Sequence, residues 1–101
     1  MIKHLVMWKL KDFAEVATRE QNARKMKTDL EALRRTIPQI RHIEVGANFI
    51  PSDFSYDVAL YSEFENEEDL ALYQKHPDHR SVGAFVQKVS ETRIVVDYKT
   101  N

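Results

Sequence analysis

The chain has 101 residues, 43% of them hydrophobic and 31% charged, with no cysteine and a formal net charge of −1. That is ordinary globular composition and one domain's length, residues 1–101. It excludes a field that draws nucleic acid or acidic membrane, a disulfide framework, a thiol nucleophile and a thiolate metal site.

The opening MIKHLVMWKL carries lysines inside its apolar stretch and reads as neither a secretory signal nor an anchor. With no cysteine to oxidise, a reducing, cytoplasmic setting is expected. IKHLVMWKL (Ile2 to Leu10) alternates: Ile2, His4, Val6, Trp8 and Leu10 share one face, and Lys3, Leu5, Met7 and Lys9 the other. The second face is apolar in its middle, so the strand is expected to be buried on both sides. From Thr18 to Arg35 the pattern turns helical, with Ala23, Met26, Leu30, Leu33 and Ile37 recurring at three and four. Thr18 is a suitable cap, and the residue before Pro38 is biased out of the helical region, which stops the helix near Thr36. Ile40 to Ile50 alternates again, PSDFS is a loop by composition, and YDVALYSEF (Tyr56 to Phe64) is a third strand. Asn66 caps a second helix whose first turn holds three carboxylates, suited to the positive end of the helix dipole. It breaks at His76. Pro77 is well tolerated at the first position of a new helix, which runs to about Val89 with His79, Val82, Phe85, Val86 and Val89 on its apolar stripe. TRIVVDYK (Thr92 to Lys99) is the last strand.

The order is strand, helix, strand, strand, helix, strand: an α+β, ferredoxin-like βαββαβ unit with a four-stranded antiparallel sheet and both helices on one face. Two helices cover one sheet face. The other is expected to carry Leu5, Met7, Ala59, Tyr61 and Val95, more contiguous apolar surface than a soluble monomer usually exposes. A domain this short also buries only about two-thirds of its unfolded surface. Both constraints are met by a symmetric homodimer, sheet against sheet.

IKHLVMWKLK at the start, YDVALYSEFENEEDLALYQKHPDHRSV in the middle and VVDY near the end resemble the stress-responsive A/B barrel domain, of the dimeric α+β barrel superfamily. The shared features are Lys-His in the first strand, Tyr-x-x-His-Pro-x-His in the second helical region and a terminal Val-Asp-Tyr. The resemblance implies ferredoxin-like protomers whose sheets stack into a dimeric α/β barrel. Most members of the family have no assigned reaction. One plant branch is a polyketide cyclase that closes an aromatic ring by aldol chemistry without cofactor or metal. By motif, the resemblance places the general base at His79, the assisting tyrosine at Tyr73 and a pocket-lining histidine at His4. The cyclase has a further histidine where this chain has Asp57, which argues against transferring that specific activity. The haem-degrading branch of the superfamily also uses Trp and His, but its asparagine on the first strand is absent here.

On its own physics, His79 is the third residue of a helix and starts its apolar stripe, so it should face the sheet. A helix N-terminus disfavours the protonated ring, and a neutral imidazole can take a proton or bind a carbonyl. Either histidine could equally be a core group bonded to backbone, and Tyr73 a core tyrosine. His76 fits a cap and His42 an exposed or interface position. A metal site at HPDH lacks a third and fourth ligand, so no metal and no cofactor is expected. Trp8, Phe49, Phe64, Phe85 and Tyr98 would enclose the space between sheet and helices. A small pocket among them, with Val6, Trp8 and Phe85 as apolar walls and His4, Tyr73 and His79 at one side, suits an aromatic or acyl ligand. Three classes remain open: a cofactor-independent proton-transfer enzyme, a non-catalytic small-molecule binder, and a stress-linked structural dimer.

Overall fold

The computed structural model describes every residue from Met1 to Asn101. In chain order it has β1 (Ile2–Leu10), a short hairpin of β2 (Phe13–Ala14) and β3 (Ala17–Thr18), and α1 (Arg19–Ala32) running into a 3₁₀ turn at Leu33–Arg35. Then come β4 (His42–Ala47), β5 (Val58–Phe64), α2 (Glu67–Lys75), α3 (Pro77–Val89) and β6 (Ser90–Lys99). The sheet order is β4-β5-β1-β6, antiparallel throughout, which is the ferredoxin-like arrangement. Thr18 caps α1 through a complete capping box with Gln21. Asn66 caps α2 by accepting from the Asp69 N–H.

In an antiparallel pair, residues directly opposite share a face. Ile2, His4, Val6, Trp8 and Leu10 of β1 are all buried under the helices, together with Val58, Leu60, Ser62 and Phe64 of β5 and Ile43 and Val45 of β4. From the helices, Met26, Leu30, Tyr73, Val86 and Val89 pack down onto them. Each such apolar side chain contributes on the order of 1.5–3 kcal/mol by leaving water.

The register corrects the expectation for the last strand. Val95 stands opposite Val6 and Asp97 opposite His4, so both lie on the helix side. The open face instead receives Ile94, Val96 and Tyr98, opposite Met7, Leu5 and Lys3. Tyr98 therefore does not wall the space under the helices. Nor does Phe49, because β4 ends at Ala47 and leaves this ring 87% exposed in the following loop. The open face is more apolar than the sequence reading required, since three large side chains replace one valine.

The hairpin ahead of α1 carries no recognisable turn signal. Its two central residues, Glu15 (φ 52°) and Val16 (φ 57°), both occupy the left-handed region, as a two-residue hairpin turn with primed geometry demands. Asn-Gly is the usual pair there, and a β-branched side chain is strained. Exchanging Glu15-Val16 for Asn-Gly should raise unfolding stability by about 1 kcal/mol, measured as an increased urea midpoint at unchanged slope.

Candidate functional site

The site begins with the break between α2 and α3. His76 has φ −61° and ψ 135°, the extended geometry imposed on a residue before proline. Its Nδ1 accepts from the Asp78 N–H at 3.1 Å, so His76 caps α3. The new helix folds His79 back against the end of α2. Its ring lies 4.3 Å from that of Tyr73, centroid to centroid, and its Nδ1 is 3.3 Å from the Gln74 carbonyl oxygen. A carbonyl only accepts, so Nδ1 carries the hydrogen and Nε2 keeps its lone pair.

Burial is the main cause that lowers the His79 pKa; the Gln74 hydrogen bond opposes it, and the charges of His4, Arg93 and His76 add to it. The neutral ring is therefore favoured at neutral pH. Tyr73 is 1% exposed, and burial holds its phenol far above its ordinary value against a small opposing effect of Arg93. It is a proton donor at every physiological pH. Behind it, Tyr73 packs edge-on against His4 at 6.3 Å and tilted against Phe64 at 4.9 Å.

His4 is buried, and its Nδ1 lies 2.5 Å from Oδ1 of Asp97. The carboxylate accepts, which fixes the hydrogen on Nδ1 and the orientation of the ring. Sequence alone hides Asp97 as a site residue, because it is 93 residues from His4 and the expected alternation of the last strand groups it with Val95 on the open face. Only the β1–β6 register reveals the pair.

A cleft of about 460 Å³ opens between α3 and β6, lined by Trp8, Leu30, His79, Gly83, Val86, Gln87 and Ser90 to Arg93. Of the six residues anticipated for the site, His79 and Trp8 are on its wall. Tyr73, His4 and Val6 lie behind, on the same side of the sheet but off the cleft's wall. Phe85 does not line it: Lys25 of α1 sits 4.9 Å from the centre of its ring, on the side of α3 turned to α1. A larger hollow of about 580 Å³ lies beyond Glu91, around Lys9, Arg19, Arg24 and Asp57, with no histidine or tyrosine on it. Asp57 belongs to that hollow. Its carboxylate accepts the Leu10 N–H at 2.7 Å and its own N–H donates to the Trp8 carbonyl at 2.8 Å, so it clamps the end of β1. No three histidine, aspartate or glutamate side chains converge as metal ligands would.

A four-stranded antiparallel sheet under helices in this order is a ferredoxin-like architecture shared with known proteins. The family model described as the stress responsive A/B barrel domain matches residues 2–100. The chain belongs to this family. It is 33% identical over 100 residues to a stress-response A/B barrel domain-containing protein of Arabidopsis thaliana, a match spanning 97% of this chain and 36% of that protein. The chain thus spans little more than a third of that relative's length. Among solved structures it is similar to a dimeric protein of unknown function with a ferredoxin-like fold from Bacteroides fragilis, at 38% identity and a TM-score of 0.88, covering 98% of this chain and 95% of that one. It shares the fold of a hydroxynitrile lyase from Passiflora edulis at 16% identity and a TM-score of 0.82, covering 99% of this chain and 93% of that one. No helix is long and apolar enough to cross a membrane.

The lowered His79 pKa fixes a pH dependence. Below about pH 6.5, the ordinary value, the unfolded chain protonates this ring while the folded protein resists it. The unfolded state then binds more protons, so stability is full above that value and falls as pH drops toward the folded pKa. The loss of urea midpoint between pH 7.5 and pH 5 should be smaller in His79→Gln than in the unmutated protein; equal losses would remove His79 as the source.

Proposed function

We propose that the protein, acting as a single A/B barrel unit over residues 1–101 in the cytoplasm, is a homodimer joined through its open sheet faces. In this reading, each cleft between α3 and β6 binds a small aromatic or acyl molecule. The proposed activity is cofactor-independent proton transfer of the aldol, polyketide-cyclase type, with His79 as base. The observation that carries this reading is the state of His79: neutral, its Nδ1–H held by Gln74, its Nε2 free, and its ring on a cavity wall beside Trp8.

The step balances within the substrate and one imidazole. Nε2 removes a proton from the carbon between or beside carbonyls, leaving an enolate. The enolate carbon forms a bond to a second carbonyl carbon, whose oxygen becomes an alkoxide. The imidazolium returns its proton to that oxygen. Tyr73 assists by backing the imidazole with its ring and by keeping a protonated phenol beside it, and the His4–Asp97 pair holds Tyr73 in turn. The binding of the ligand is assigned to the Trp8 side of the cleft, with Val6 and Phe85 supporting it from the core rather than by contact.

The dimer reading is supported by Leu5, Met7, Ala59, Tyr61, Ile94, Val96 and Tyr98 lying together on one uncovered face. A hollow lined by Met7, Ala59, Phe49 and Phe54 continues that face toward the β4–β5 loop. Val96→Glu should convert a micromolar dimer to monomer in sedimentation equilibrium; a dimer that survives it would place the interface elsewhere.

For the cleft, Gly83 offers a clean probe. A Cβ added there meets nothing within 4 Å. Gly83→Leu should keep the fold and abolish binding of an aryl triketone such as 1-phenyl-1,3,5-hexanetrione, whose terminal enolate carbon can reach the far carbonyl carbon to close a six-membered ring. His79→Ala should cut turnover of such a substrate 10²- to 10⁴-fold, the usual share of a general base, and leave its affinity within about threefold. Binding without turnover in the unmutated protein would instead identify a binder that does no chemistry. Binding that ignores Gly83→Leu would move the ligand out of this cleft.

A further inference from the structure

We propose that the ligand of the α3–β6 cleft is an anion, a small aryl or acyl carboxylate, held with its carboxylate on Arg93 and an acceptor oxygen on the indole N–H of Trp8. This rests on the reading of the cleft as a ligand site and names the class of ligand.

The first observation is an orphaned donor. Trp8 is 4% exposed, it lines the cleft, and no protein group accepts from its buried Nε1–H. Buried donors are paired in the great majority of cases, and leaving one unpaired costs about 1–3 kcal/mol. Indole nitrogen can only donate. The group that satisfies it must therefore be an acceptor, and the proposal assigns that role to an oxygen of a ligand entering the cleft that Trp8 lines.

The second observation is a free cation beside it. Arg93 stands directly opposite Trp8 in the β1–β6 ladder, so the two side chains are neighbours on one face. Several cations of this chain are engaged, Lys3 with Glu63, Arg19 with Asp12 and Lys99 with Glu67, while Arg24, Arg35, Lys75 and Arg80 make no ion pair but stand away from this cleft. Arg93 makes no such pair, yet it lines the cleft. The register puts it on the helix side of the strand, the side of Tyr73 and His79. A guanidinium presents a planar fork that matches a carboxylate with two parallel hydrogen bonds.

The rest of the wall agrees. The Ser90 hydroxyl already donates to the Val86 carbonyl at 2.5 Å, and Gly83 leaves room above the floor. Glu91 is the one acid on the cleft, and it favours the opposite assignment, an amine. The orphaned Trp8 donor decides between them, because an ammonium carries no acceptor for it.

The chain has one tryptophan, and it is on the wall, so its fluorescence reports occupancy. The full-length protein is titrated at pH 7.5 with three probes of one shape: phenylacetate, phenylacetamide and phenethylamine. Phenylacetate should bind about tenfold tighter than the amide, and added salt should weaken the acid alone. Arg93→Gln, at an exposed position that cannot disturb the core, should remove this preference and leave the amide within about twofold. Trp8→Phe, followed by the amide NMR shift of Gly83, should weaken acid and amide alike by several-fold. Equal binding of acid and amide would overturn the anion assignment and leave the cleft as a neutral-ligand site. Tightest binding of phenethylamine would overturn it in favour of Glu91. Silence from all three probes, in both fluorescence and the Gly83 shift, would remove the cleft as a ligand site and the proposed function with it.

Discussion

Everything in this protein is arranged around β1, a strand that must be satisfied on both of its faces. It lies between β5 and β6, so its two edges are hydrogen-bonded along its length. Its alternate side chains divide into Ile2, His4, Val6, Trp8 and Leu10 on one side and Lys3, Leu5, Met7 and Lys9 on the other. The first set takes the helices α1, α2 and α3 as its cover. The second has no cover within the chain, and the proposed dimer would cover it with another copy of the same sheet. Fold and the proposed self-association thus rest on one period-two pattern. The same strand supplies His4 and Trp8, which sit at two points of one floor.

The second organising feature is chemical rather than hydrophobic. Proline at the start of α3 costs that helix nothing, since the first N–H has no partner inside a helix. It does prevent α2 from continuing, and the chain turns. The turn brings two residues six apart in sequence, Tyr73 and His79, ring against ring. In a continuous helix they would lie on different sides. A single backbone restriction thereby builds the contact that half-buries the imidazole.

Much of this was legible in the sequence. Periodicity located each long element to within a few residues, because buried strands and amphipathic helices repeat their burial in the primary structure. The role of His76 as cap followed from the proline, and the facing of His79 toward the sheet from its place at the start of the apolar stripe of α3. What was not legible depends on register. β6 is exposed along its whole length, so its own pattern of apolar residues, Ile94-Val95-Val96, does not say which side faces the helices. Assigning Val95 to the wrong side hid Asp97 as the partner of His4 and Arg93 as the neighbour of Trp8. Phe49 misled for a related reason: alternation continued past the last residue that has a strand to pair with. The Glu15-Val16 hairpin was invisible because its residues are atypical for the turn they make.

The His4–Asp97 contact also has a meaning in time. It joins residues 93 positions apart, in the ladder that brings the first long strand against the last. Contacts of such separation require the largest loop to close and are slow to form. The hairpin of β4 and β5 and the three helices can organise from local interactions, whereas the floor of the cleft exists only after β6 has docked. Formation of the cleft and completion of the fold are then the same event. A partly folded chain would display helices and most of a sheet, yet it would lack this cleft.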